Sequence, residues 1–149
     1  MEPKLRAQIL ELIEKHGTLA LATLREDGWP QTTTVAYASH GLTLYVATGA
    51  DAQKVRNIRR DGKVSVAIDG GAPDWASLTG LSMAAHAVVI ESASERLQAA
   101  RLLKRKFPGL AEFGDPEHER GWAILRLEPA VISLIDYAKG FGHTVLVRL

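Results

Sequence analysis

Thr48-Gly49-Ala50-Asp51-Ala52-Gln53-Lys54 places a hydroxyl, a carboxylate and an amine where strand-like spacing gives way to helix-like spacing. Backbone N–H groups at a helix N-terminus point outward unpaired, and the helix dipole favours an anion there. Thr48 adds a hydroxyl and Lys54 a full positive charge, so the chemistry this segment could do is anion binding, phosphate above all. On the helix that follows, Val55 and Ile58 fall on one face that should be buried, Lys54 borders that face, and Arg56 and Arg60 point away. The Lys54 stem can then lie along the protein body with its amine at the rim. The same residues equally describe a surface helix capped by Asp51 with a solvated lysine, which is the commoner arrangement.

A second segment, Gln31-Thr32-Thr33-Thr34-Val35-Ala36-Tyr37, reads as a strand with hydroxyls on both faces. A planar ligand with polar edges needs donors and acceptors along its rim and an apolar floor, which alternating Thr and Val/Ala can supply. A half-exposed strand with no ligand fits it as well. Thr79-Gly80 marks a place where a ligand or another backbone comes close, or a bulge. His86 lies in an apolar stretch and reads as a structural histidine. The segment Asp136-Tyr137-Ala138-Lys139-Gly140-Phe141-Gly142-His143-Thr144 is dense in functional side chains, and the apolar Val145-Leu146-Val147 after it predicts that the tail is tied down. No histidine pair has metal-ligand spacing, no serine sits in a nucleophile-elbow pattern, and no Gly-x-Gly-x-x-Gly or P-loop occurs.

These residues need a frame. A chain of 149 residues fits one domain, residues 1–149. An apolar share of 46% and a charged share of 23% suit a globular protein with a sizeable core. The net charge of +1 gives no footprint for nucleic acid. The absence of cysteine removes disulfides, thiolate nucleophiles and Cys-ligated zinc. No run approaches the roughly 20 apolar residues of a membrane span. The expectation is a protein of the cytoplasm with no membrane partner, and the charged residues between Met1 and Lys15 do not read as a signal peptide.

Leu5, Ile9, Leu12 and Ile13 predict a helix over Lys4–His16. Strands are expected at Thr18–Leu24 and Pro30–Tyr37 around an Asp27-Gly28 hairpin, then at Leu42–Ala47 after a Ser39-His40-Gly41 turn. A short helix over Ala52–Arg60, N-capped by Asp51, leads to a strand at Val64–Ile68. After the loop carrying Trp75, a long strand runs from Leu78 to Ile90. Ser92 and Glu95 are spaced as a capping box for a helix that Pro108 ends. Strands at Trp122–Leu127 and Val131–Asp136, broken by Pro129, complete the reading. Six or seven strands joined by tight turns, with three helices between them, predict a mainly β (α+β) chain whose antiparallel sheet curls into a barrel.

In order and spacing these segments resemble the pyridoxamine 5′-phosphate oxidase-like superfamily of FMN-binding split β-barrels. The matching pieces run from Ala22-Thr23-Leu24 through Val35-Ala36-Tyr37, Leu44-Tyr45-Val46-Ala47-Thr48 and Lys54-Val55-Arg56-Asn57-Ile58 to Val64-Ser65-Val66-Ala67-Ile68 and Leu78-Thr79-Gly80. The resemblance implies a homodimeric split barrel, a flavin oxidoreductase on a small-molecule substrate, and FMN at the subunit interface. A non-catalytic flavin-binding or electron-transfer protein is the alternative. By position, Thr48 and Lys54 would meet the phosphate with Gln53 beside them, and Thr33, Thr34 and Val35 would run along the ring. The second subunit would complete the site with Trp122 or the Lys139–His143 tail. The Arg-containing C-terminal signature of the vitamin-making oxidases is absent, which points to another member. Related split barrels take a deazaflavin or haem, and His143 would then be a candidate axial ligand.

Overall fold

Alternation of apolar and polar residues sets the strands. In the computed structural model, which describes residues 1–149, β1 (Thr18–Leu24) turns Leu19, Leu21 and Thr23 inward. Its hairpin partner β2 (Pro30–Ala36) pairs Leu21 with Thr33 and Leu19 with Val35. β3 (Ala38–His40), β4 (Thr43–Gly49), β5 (Lys63–Asp69), β6 (Thr79–Val89), β7 (Trp122–Asp136) and β8 (Thr144–Arg148) follow. All pairings are antiparallel, in the order β2-β1-β5-β6-β7-β4-β3, with β8 added to β7. The two ends of that path, β2 and β3, are joined through Tyr37 alone, so the chain itself crosses the seam between the sheet's edges. Tyr37 is fully buried there and its hydroxyl donates to the Ile13 carbonyl at 2.6 Å. The architecture is the expected mainly β, antiparallel split barrel with three helices.

The helices divide between the inside and the outside. Ile9 and Ile13 of α1 (Pro3–Lys15) and Val55 and Ile58 of α2 (Gln53–Arg60) enter the same core as Leu21, Val46 and Leu125. α3 (Ala93–Lys106) lays Ala99 and Ala100 on Ile90 and Ile124, on the other face of β7. That leaves the outer face of β1, β5 and β6 without a helix. The middle of that face is small and uncharged, with Ser65, Ala67, Ser82 and Ala84 exposed, while Lys63 and Asp69 lie at the two ends of β5 and His86 lies farther along β6.

Several expectations change. The predicted turn at Ser39-His40-Gly41 is mostly strand, because β3 pairs Ser39 with Leu44; the reversal falls one residue later, on Gly41 with φ +60°. Pro129 does not break β7. The register with β6 slips there, so Ala84 pairs with Val131 and Ala85 with Pro129, leaving Ala130 as an extra residue. On the other side of β7, β4 stops at Leu127 and β8 starts at Val131, so the proline's missing N–H falls in the handover. Asp51 is not the cap of α2: Ala52 holds that position and no side chain bonds the first turn. Ser92 does cap α3, but Glu95 leaves the box half made and bonds Arg126 at 2.5 Å instead. The tail is tied down as expected, through β8.

The segment after α3 is pinned by Lys104, whose Nζ lies 2.7 Å from Asp115 and 2.8 Å from Glu117. The Lys104 hydrogen bond, helped by His118 on Asp115, holds both carboxyls below their usual range. A carboxyl with a depressed folded-state pKa contributes stability above its ordinary pKa and loses it as pH falls through the folded value. Thermal melts taken from about pH 5 down to about pH 2 should therefore show a shallower acid-side fall in Lys104→Met than in the parent chain.

Candidate functional site

Strand β4 delivers Thr48 to the end of the barrel on the same parity as Leu44 and Val46, and the register sets Thr48 opposite Ala123 and Gly49 opposite Trp122. The Ala50 N–H is spent on the Gly121 carbonyl, and Ala52 N–H on Gly49. The chain then enters α2, whose first turn carries no side-chain cap, leaving its leading N–H groups open. Thr48 makes no side-chain hydrogen bond. Lys54 is half-buried and has neither a hydrogen-bond nor an ion-pair partner, whereas Arg56 is held by the Asp51 carbonyl at 2.5 Å and by Gln53 at 2.7 Å. Arg56 and Arg60 are both exposed, as expected, and Arg60 donates to the Leu24 carbonyl. One anionic group shares this corner: the Asp51 carboxylate stands near Gly49, within 3.4 Å of where a Cβ would be.

Gln53 belongs to a buried polar chain that sequence reasoning missed. Its Nε2 donates to Asn57 Oδ1 at 2.8 Å; Asn57 Nδ2 donates to Thr23 Oγ1 at 3.0 Å and reaches Gln31 Oε1 at 3.5 Å. Asn57 is 0% and Thr23 2% exposed. This chain fixes α2 to β1 and to β2, two residues before Thr33. Its signal was present: Thr23 continues the inward parity of Leu19 and Leu21, and Asn57 shares the buried face with Ile58.

On β2 the three expected residues do not share a face. Val35 is buried and Thr33 half-buried on the inner side, while Thr34 is exposed outside, beside Ala20 and Ala67 in a shallow hollow. A flat ligand along this strand would meet backbone groups and one side-chain parity only. Gly80 answers to another strand: a Cβ there would lie 2.8 Å from the Ile68 carbonyl. His86 is exposed on the outer face instead of packed in the core.

Trp122 and Lys139 stand at opposite ends of β7. The Trp122 indole is packed on Gly114, with Nε1 3.4 Å from Glu119. Lys139 pairs with Asp136 at 3.6 Å beside an aromatic cluster in which the exposed Phe141 packs at a tilt against Tyr137 and Trp75, with ring centroids 5.4 and 5.9 Å away. Within one chain, then, the structure brings Thr48, Gln53, Lys54 and the Trp122 backbone together and leaves Lys139 apart.

An antiparallel split barrel with this strand order defines the class. The chain belongs to the pyridoxamine 5′-phosphate oxidase family, whose profile matches residues 5–136. No curated protein matches the sequence. Among solved structures, the chain is similar to a putative pyridoxamine 5′-phosphate oxidase from Listeria innocua at 22% identity and a TM-score of 0.72, covering 89% of this chain and 98% of that one. A haem-binding protein from Mycobacterium smegmatis superposes at 17% identity and a TM-score of 0.82, covering 99% of this chain and 59% of that one. HutZ, the haem storage protein of Vibrio cholerae, follows at 21% identity and 0.70, covering 83% and 88%. No helix is long and apolar enough to cross a membrane.

Proposed function

We propose that this chain binds FMN with its phosphate at the β4–α2 corner and serves as an oxidoreductase on a small molecule. The observation that carries the reading is Lys54: a half-buried amine left unpaired in the uncapped first turn of α2, the helix that follows Thr48 at the end of β4. A dianionic phosphate satisfies the amine and the open N–H groups at once. Bound FMN would supply hydride chemistry, so no catalytic acid or base is demanded of the protein. The chain's own part is to anchor the phosphate through Thr48 and Lys54, to hold α2 in place through Gln53 and Asn57, and to offer β2 to the ring. The small, uncharged centre of the outer face of β1, β5 and β6, flanked by Lys63 and Asp69, suits packing against a second copy, and the Lys139 segment of that copy is the part proposed to complete the site.

Haem is the second reading, favoured by the two haem proteins that share the fold. Titration of the purified protein with FMN and with haem separates the two. Quenching of flavin fluorescence at micromolar FMN, on a particle of twice the chain mass, is the expected result. A Soret band with no flavin quenching would overturn it.

A further inference from the structure

A groove of about 460 Å3 lies along the exposed side of α3, with His40 of β3 also on its lining. Ala99, Ala100 and Leu103 turn the other side of the helix into the protein. Spacing then fixes what faces the groove. Ser94, Gln98, Arg101 and Arg105 follow one another in steps of four, three and four residues and share one helix face. Every polar side chain on this lining can donate a hydrogen bond, and none is a carboxylate.

The two arginines differ from the lysines beside them. Lys104 is held by Asp115 and Glu117, and Lys106 by the His16 carbonyl. Arg105, between them in the chain, makes neither a side-chain hydrogen bond nor an ion pair. Arg101 reaches one carboxylate, Glu117, at 3.9 Å, and that group is already engaged by Lys104 at 2.8 Å. Gln98 and His40 have no side-chain partner. Arg101 and Arg105 stand one helical turn apart, a spacing that sets Cβ atoms about 5–6 Å from each other. Like charges at that spacing repel, and the lining supplies no acid to stand between them.

We infer that this groove binds a molecule carrying two linked phosphate groups, one at each guanidinium, with the Gln98 amide and the His40 imidazole as further donors. A guanidinium presents paired N–H groups that match two oxygens of one phosphate. Two guanidiniums a turn apart therefore match two phosphates in sequence better than one. Leu97 and Leu102, both half-buried, flank the polar strip and give an organic group on the diphosphate an apolar surface to rest on. His40 pairs with Thr43, at the opposite end of β4 from Thr48, so the groove is separate from the corner assigned to FMN and does not rest on that assignment.

Calorimetry on the full chain at about 0.15 M salt, where exposed charges are screened, compares pyrophosphate, ADP and monophosphate. Pyrophosphate should bind about tenfold or more tighter than monophosphate. Arg101→Gln and Arg105→Gln should each weaken pyrophosphate about tenfold, and Lys54→Ala should leave it unchanged. ADP binding tighter than pyrophosphate supports an organic ligand lying on the leucines; ADP binding no tighter supports an inorganic one. Absence of pyrophosphate binding, equal affinity for monophosphate, undiminished binding in both arginine variants, or loss of binding in Lys54→Ala overturns the inference. A triglutamate peptide, of similar charge, bound as tightly as pyrophosphate also overturns it, since charge alone would then account for the attraction.

Discussion

Lys54→Ala is expected to weaken FMN binding by about tenfold to a hundredfold, equivalent to about 1.5–3 kcal/mol for one charge-assisted contact. The reason lies in what surrounds the amine. Arg56 and Arg60 are committed to backbone carbonyls, so neither can replace it without giving up a bond. Removing Lys54 also leaves the phosphate facing the Asp51 carboxylate with less to balance it. The companion change Asp51→Asn should act in the opposite direction, tightening FMN, because a neutral amide removes the repulsion. Both effects should shrink as salt is raised. Fluorescence titration of FMN at two ionic strengths reads all of this. An unchanged affinity in Lys54→Ala takes that residue out of the site.

Asn57→Ala should cost about 1–3 kcal/mol of folding free energy, because it strips partners from buried polar groups. For a chain of this length that corresponds to a fall of roughly 3–10 °C in Tm. Thr23, at 2% exposure, has no water to turn to once the amide is gone, and Gln53 loses its acceptor on α2. Thermal unfolding followed by circular dichroism measures the loss. Replacing both members, Thr23→Val with Asn57→Leu, should cost less than the sum of the single changes, since two apolar groups need no partner. Additive losses would show that Asn57 and Thr23 do not act as a unit. Since α2 carries Lys54, Asn57→Ala should also loosen FMN, by less than Lys54→Ala does.

These expectations draw on features of unequal legibility. The β4–α2 corner could be read from Thr48 to Lys54 because a strand end and a helix start leave local marks. Lys54 bordering the Val55–Ile58 face followed from helical spacing alone, and the structure bears it out as half-buried. The Asp51 cap was misread because cap preference is a local tendency, whereas here the Ala50 and Ala52 N–H groups are fixed by Gly121 and Gly49. Pro129 was misread for a related reason. Whether a proline breaks a strand depends on whether its N–H side faces a partner, and that is decided by where β4 ends and β8 begins.

The sequence by itself determined the helices and most of the strands to within a residue or two at their ends, though not β3, β8 or the continuity of β7; it also determined the buried stripe of α1 and α2, the antiparallel barrel, and the family. It could do so because each depends on spacing within a short stretch of chain. Tertiary structure alone decided which distant residues meet. It joined the sheet's edges through Tyr37, linked Gln53 to Thr23 and to Gln31 through Asn57, and set Trp122 and Lys139 at opposite ends of one strand. It also left Lys54 without a partner while tying down the arginines beside it. Partnership across the fold has no period to read, so the unpaired amine at this corner, on which the functional reading turns, became visible only once the chain was closed on itself.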